Sequence, residues 1–121
     1  MATFEIGGKE YDLKLNYAAV KRLNNLYEGG SFELIGKAMQ GDFDTFPHIV
    51  HAALLHTGEN FTLQTVEDAI GELIEAEKLS FDDVLRISNE VVTQSFFYKP
   101  TVDKMTKKNP EMKQALEQLL N

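Results

Sequence analysis

Three histidines, His48, His51 and His56, lie close together in the chain, and imidazole is a common metal ligand. In a helix, His48 and His51 would lie three residues apart on one face and could reach the same ion. His56 would lie about 500° round from His51, at about 100° per residue, and would point elsewhere. No HExxH pattern is present. The spacing therefore favours structural histidines, and we predict no metal site.

Asp42 and Asp44 are spaced like the first ligands of a calcium-binding loop. The later positions do not fit such a loop. Phe46 stands where a third oxygen ligand is needed, Pro47 replaces the required glycine, and Ala53 replaces the closing glutamate. A turn followed by a helix cap explains both aspartates.

Paired carboxylates for acid–base chemistry would have to come from the acidic run Glu67, Asp68, Glu72, Glu75, Glu77, Asp82 and Asp83. Helical di-iron proteins use Glu-x-x-His pairs, and the sequence has none. It also lacks a GxSxG nucleophile motif, a GxGxxG phosphate loop and the Asp-Ser-Leu context of acyl carriers. We therefore predict a solvated acidic face, no catalytic residues and no cofactor.

The composition is that of a globular protein: 121 residues, 43% hydrophobic, with no cysteine. A net charge of −7 argues against nucleic-acid binding, which depends on neutralising phosphates. The longest apolar run, Ile49 to Leu55, is too short to cross a membrane. The N-terminal residues do not resemble a secretory signal. We expect a cytoplasmic protein without a membrane partner.

Alternating apolar residues predict a β-hairpin over residues 2–15. A type II′ turn at Gly8-Lys9 would place Phe4 opposite Leu13 and Ile6 opposite Tyr11. The apolar face of an isolated hairpin must pack on other elements. We therefore expect an α+β, predominantly helical fold in which the hairpin packs on five to six short helices.

Helix-capping residues recur along the chain, each followed by apolar residues at helical spacing. The predicted caps are Asn16, Ser31, Asp44 or Thr45, Thr62 and Ser80. The first helix would end at Gly29-Gly30, the second at Gly41 and the third before Gly58. Asp83 follows Ser80 at the spacing of a capping box.

The segment LSFDDVLRISNEVVTQSFFYKP, residues 79–100, predicts a helix that carries an aromatic triplet and stops at Pro100. Phe96, Phe97 and Tyr98 cannot all face one core, because neighbours on a helix lie about 100° apart. At least one should be exposed. Exposed aromatic residues are common anchors of protein interfaces, so we predict that Phe96, Phe97 and Tyr98 bind a partner, with Phe97 and Tyr98 the best surface candidates. The alternative is that the fold absorbs all three.

Residues 1–100 are expected to form a single globular domain, and the character of the chain changes in residues 101–121. A lysine-rich segment with Val102 and Met105 as its apolar residues precedes Asn109-Pro110, which predicts the start of a C-terminal amphipathic helix. This helix would either fold back on the core or stay loosely attached and free to engage another chain. The few apolar anchors favour loose attachment.

The opening FEIGGKEYDLKLNYAAVKRL, the LSFDDVLRISNEV helix and the FFYKP ending resemble the tail assembly chaperones of long-tailed bacteriophages and prophages of Gram-positive bacteria. The resemblance spans about residues 3–100. It implies a non-enzymatic protein of the bacterial cytoplasm that binds the tape measure protein, helps to recruit tail-tube protein and is absent from the mature virion.

The same resemblance implies a second, longer product made by ribosomal frameshifting, with Lys107-Lys108 as a plausible junction. Self-association is also expected, since many copies would have to coat a long client. Two alternatives remain: a small acidic helical adaptor or regulatory protein with one partner, and, ranked below it, a metal-dependent enzyme using His48 and His51.

Overall fold

A two-stranded antiparallel hairpin opens the computed structural model, which describes residues 2–120. Strands β1 (Thr3–Ile6) and β2 (Lys9–Asp12) place Phe4 opposite Tyr11 and Ile6 opposite Lys9. The predicted turn at Gly8-Lys9 is therefore wrong. The turn is Gly7-Gly8, with φ of 61° and 81°. Two glycines accept the positive φ that a type I′ turn needs at both central positions, and this turn matches the twist of the strands.

Within residues 2–120, seven α-helices follow the hairpin, which confirms the predominantly helical α+β class. They are α1 (Tyr17–Asn24), α2 (Gly30–Gln40), α3 (Phe46–Ala53), α4 (Leu63–Glu75), α5 (Phe81–Val91), α6 (Lys99–Lys107) and α7 (Pro110–Leu120). A short 3₁₀ helix, Leu55–Thr57, links α3 to α4. Among residues 2–120, no helix is long and apolar enough to span a membrane.

Side-chain caps begin four of these helices where the sequence predicts them, at Asn16, Thr62, Ser80 and Asn109. Asn16 accepts a hydrogen bond from the backbone N–H of Ala19 at 2.9 Å, and Thr62 accepts one from Thr65 at 3.1 Å. Ser80 and Asp83 form a reciprocal capping box. Such caps satisfy backbone donors that have no partner inside the helix.

The predicted boundary between the first two helices is wrong. Helix α1 ends at Asn24 instead of Gly29-Gly30, and Gly29 occupies the N-cap position of α2. The Ser31 hydroxyl does not cap the helix but donates to Asn24 Oδ1 at 2.8 Å. Asparagine side chains form such local hydrogen bonds readily and therefore favour helix ends. Gly41 ends α2 in the left-handed conformation, as predicted.

Helix α3 lies at the centre of the core and packs against α1, α4 and α5. Phe46, Ile49, Val50, Ala52 and Ala53, five of its eight residues, are buried. Buried side chains on nearly every face mark a helix enclosed by its neighbours.

The hairpin is tied to this core as predicted. Phe4 and Leu13 are buried in it, and the backbone N–H of Lys14 donates to the carbonyl of Ala53 at 3.1 Å. The ring of Tyr11 meets that of Phe61 edge to face, with centroids 5.1 Å apart.

The helix predicted to stop at Pro100 ends earlier, at Val91. The Thr93 hydroxyl donates to the carbonyl of Asn89, and the Ser95 hydroxyl donates to that of Val92. Such side-chain bonds compete with the helical backbone pattern. Pro100 lies instead in the first turn of α6, where a missing N–H costs nothing.

The lysine-rich segment after residue 100 belongs to helix α6, which the sequence did not predict. Val102 and Thr106 are buried on its inner face. Asn109 then caps α7, accepting from the backbone N–H of Met112 at 3.1 Å. Helix α7 contacts α5 and α6, with Leu116 against the core, but none of residues 110–120 is fully buried.

Candidate partner-binding surface

The aromatic triplet lies in the connection between α5 and α6, and its three rings have different environments. The Phe96 side chain is 97% exposed and Phe97 is 59% exposed, whereas Tyr98 is only 1% exposed. The prediction that at least one ring is exposed is confirmed. The prediction that Tyr98 is a surface residue is wrong, because Tyr98 lies at the N-cap position of α6 and its ring is part of the core.

Tyr98 instead anchors the connection. Its ring meets Phe97 edge to face at a centroid distance of 5.0 Å. Within residues 2–120 its hydroxyl group has no hydrogen-bond partner. Burial raises the pKa of Tyr98. The nearby Ser31 hydroxyl has the opposite, weaker effect on this pKa, although it does not form a hydrogen bond with Tyr98. A buried Tyr98 holds its neighbours Phe96 and Phe97 at the surface.

Phe96 and Phe97 form one wall of an open groove against α1, which we call the aromatic groove. Its volume is about 520 Å³, and it is lined mainly by Leu15, Tyr17, Val20, Lys21, Phe96 and Phe97. Tyr17 is 79% exposed on the opposite wall. An exposed, contiguous apolar surface of this kind is typical of protein-binding sites. Lys21 provides a cation at the rim.

Sequence reasoning did not identify Tyr17 as part of this surface. Tyr17 is the first residue of α1, directly after the Asn16 cap, and lies off the buried face defined by Ala19 and Leu23. The signal in the sequence that could have identified Tyr17 is an aromatic residue that lies off the apolar stripe of its helix. Its pairing with residues 96 and 97 depends on tertiary packing, which no local pattern encodes.

The acidic run on α4 forms a solvated face, as predicted. Glu67, Asp68, Glu72 and Glu75 are all exposed. Asp68 accepts a hydrogen bond from the Gln64 amide at 2.8 Å on the same helix. This face carries net negative charge.

Two of the histidines have structural hydrogen bonds at separate places. The Nε2 atom of His51 lies 2.8 Å from the carbonyl oxygen of Phe61, and its Nδ1 lies 3.0 Å from an Arg22 nitrogen. This pattern fits a neutral imidazole that donates through Nε2 and accepts from arginine. The Nε2 atom of His56 lies 2.7 Å from the carbonyl of Asp12. In residues 2–120, no cluster of three possible metal ligands is present.

Asp42 acts as a turn residue. One of its carboxylate oxygens accepts from both the backbone N–H and the hydroxyl of Thr45, at 3.0 and 2.6 Å. The buried Thr45 hydroxyl also bonds to Tyr27. Asp44 is exposed to solvent. The turn predicted for Asp42 is confirmed.

Comparison with known families identifies the chain. The family model described as phage tail assembly chaperone protein, TAC, matches residues 3–107. The match runs from β1 to the end of α6 and includes the whole aromatic groove; α7 follows it. Neither a curated protein nor a solved structure matches the chain.

Proposed function

Since this chain belongs to the phage tail assembly chaperone family, we propose that it binds the tape measure protein and keeps its apolar helices from aggregating while the tail assembles. The observation that carries the proposal is the match over residues 3–107. The protein would act in the cytoplasm of a Gram-positive host, help to recruit tail-tube protein and be left out of the mature virion. The role is non-enzymatic.

The aromatic groove supports this function physically. A chaperone for a helical client needs exposed apolar surface on a charged, soluble body. Phe96, Phe97 and Tyr17 provide large rigid rings, and such rings dominate many protein interfaces. The acidic face of α4 would keep many copies of the chaperone soluble. It would also attract basic segments of that client.

The longer frameshift product would diverge near Lys107-Lys108. Both residues are exposed: Lys107 is the last residue of α6 and of the family match, and Lys108 follows it before α7 begins. A change of sequence at this point would leave the matched helices intact. Expression of the native gene with its downstream DNA and an N-terminal tag tests this idea. A minor longer product by immunoblot and mass determination supports it, and a single product of the short length contradicts it.

Binding of the tape measure protein is tested by co-expressing it, from the same phage genome, with tagged chaperone and measuring the amount that co-purifies. Phe96→Ser with Phe97→Ser should reduce that amount at least about tenfold, because losses of about 1.4 kcal/mol or more are usual for interface anchors. Phe32→Ser is the matched control, since Phe32 is 66% exposed on α2 and lies outside the aromatic groove.

Three outcomes separate the possibilities. Loss of the client with the double variant but not with Phe32→Ser supports the aromatic groove. Equal capture by all variants shows that the client binds elsewhere. No capture by the wild-type protein contradicts the proposed function, and one other stoichiometric partner in its place indicates an adaptor protein.

A further inference from the structure

A second apolar groove lies beneath the C-terminal helix. On the body of the protein the groove is lined by Gly36 and Met39 of α2, Leu85 of α5 and Met105 of α6, and we call it the methionine groove. Helix α7 covers it with Met112, Leu116 and Leu119. An open cleft of about 450 Å³ lies between α7 and the groove.

Helix α7 fits this groove loosely. None of residues 110–120 is fully buried, whereas α6 buries Val102 and Thr106. A helix that leaves an open cleft along its apolar face makes fewer contacts there than a fully packed helix, and it gains less dispersion energy. Little free energy therefore holds α7 in place.

The groove itself is suited to exchange of helices. Met39 and Met105 have flexible, polarisable side chains that adapt to different partners, and methionine is frequent on surfaces that bind several helices. A Cβ atom at Gly36 would meet nothing within 4 Å, so the wall leaves open space at the centre of α2. Helix-in-groove binding uses apolar anchors at i, i+3 or i+4 and i+7. Met112, Leu116 and Leu119 follow this spacing on α7.

The family comparison separates α7 from the groove that it covers. The matched residues, 3–107, contain the whole wall of the methionine groove and end before α7 begins. The groove thus belongs to the part of the chain that the family shares, while its occupant lies outside that part.

We infer that α7 is a displaceable internal ligand of the methionine groove, and that an amphipathic client helix with α7-like leucine or methionine spacing binds there when α7 leaves. The identity of that client as a tape measure helix rests on the proposed function. The existence of the groove and the displacement of α7 from it do not depend on the proposed function.

The first test needs no client. Labelled methionine methyl groups give NMR signals from Met39, Met105 and Met112, three of the four methionines of the chain. Leu116→Glu with Leu119→Glu should undock α7 and shift all three signals. Gln114→Glu with Gln118→Glu is the matched control, because it adds the same charge to exposed positions of α7 and should leave the three signals in place.

A synthetic peptide of residues 109–121 then probes the groove in trans. It should bind the Leu116→Glu, Leu119→Glu protein at least about tenfold more tightly than the wild type. In the wild type, α7 occupies the groove, and the apparent affinity for the peptide is the intrinsic affinity multiplied by the fraction of molecules whose groove is open. Binding should return the signals of Met39 and Met105 towards their wild-type positions. Equal affinity for both proteins would overturn the inference.

The second test locks the groove shut. The chain has no native cysteine, so Gly36→Cys and Ala115→Cys, two positions that line the cleft from opposite sides, can be joined with a short bismaleimide. The joined protein should capture at least about tenfold less tape measure protein than the same protein before joining, and the Leu116→Glu, Leu119→Glu protein should capture more.

The two tests fail separately. A client that binds the open, native and locked forms equally overturns the inference and leaves the proposed function standing. A client that binds none of these forms contradicts the proposed function, and the peptide experiment still decides whether α7 is displaceable. Leu116→Ala with Leu119→Ala replaces the glutamate variant if circular dichroism shows that the latter does not fold.

Discussion

Asn89 joins two helices in the core, and replacing it tests how far the contact between α2 and α5 determines stability. Its side chain is fully buried. The amide Nδ2 donates to the carbonyl of Ala38 at 3.1 Å and to that of Leu85 at 2.7 Å. The Ala38 carbonyl lies in the last turn of α2 and also accepts from the backbone N–H of Gly41, the left-handed residue that follows the helix. Asn89 therefore connects the end of α2 to the middle of α5.

The magnitude of an Asn89→Ala change follows from these contacts. Two lost hydrogen bonds cost about 1 kcal/mol each. The void adds to this cost, and removal of the Asn89 Oδ1, which has no partner within residues 2–120, offsets part of it. We expect a loss of about 2 kcal/mol. For 121 residues this lowers the melting temperature by roughly 8 °C.

Asn89→Asp keeps the shape of the side chain and removes the donor. Burial raises the pKa of the new carboxyl group above its value of about 3.9 in the unfolded chain. The folded state then holds its proton to higher pH than the unfolded state does, so stability falls as pH rises above about 4, with a slope of up to about 1.4 kcal/mol per pH unit. Below about pH 4 the penalty should be smallest.

Urea unfolding followed by circular dichroism measures both variants, with Gln94→Ala as an exposed-amide control. A change below about 0.5 kcal/mol for Asn89→Ala would refute the argument, because surface substitutions give changes of that size. A stability of Asn89→Asp that does not depend on pH between 4 and 7 would equally refute the burial argument.

Three further predictions concern local structure. Ser80→Ala removes half of the capping box and should cost about 1 kcal/mol in thermal unfolding. The hydrogen bond from the backbone N–H of Ser80 is the main cause that lowers the pKa of Asp83. Asp83 therefore stabilises the fold above about pH 4 and loses that effect as the pH falls. Asp83→Asn should make the stability depend less on pH in the acid range. Gly41→Ala should destabilise the protein by more than Gly58→Ala, by at least about 1 kcal/mol in urea unfolding. Both glycines have positive φ, but a Cβ at Gly41 would lie 2.5 Å from Leu85 Cδ2, whereas one at Gly58 would meet nothing within 4 Å. Equal losses at the two glycines would contradict the packing argument.

The helix starts could be predicted from the sequence because their causes are local. Asn16, Thr62 and Ser80 each bond to a backbone N–H three residues on, and such a signal is fully contained in four residues. The hairpin was also predicted, but the register predicted for it was wrong. Either glycine of Gly7-Gly8 could begin a tight turn, and only the pairing of whole strands distinguishes the two arrangements.

The candidate site was only partly predictable, for a different reason. The exposure of Phe96 and the burial of Tyr98 depend on where α5 ends. The helix ends at Val91, and the Thr93 and Ser95 hydroxyls bond to backbone carbonyls just beyond that point, where an amphipathic pattern alone would continue the helix. The pairing of Tyr17 with Phe96 across a groove depends on the packing of α1. Side chains distant in sequence meet through tertiary structure, which the amphipathic pattern of a single helix does not specify.

The most direct measurement of the proposed function is the soluble fraction of the tape measure protein, expressed with and without this chain at matched levels. If the chain is its chaperone, the tape measure protein should move from the insoluble pellet to the soluble fraction and elute with the chain on a sizing column. A tape measure protein that stays in the pellet, or stays soluble without any help, would contradict the proposal.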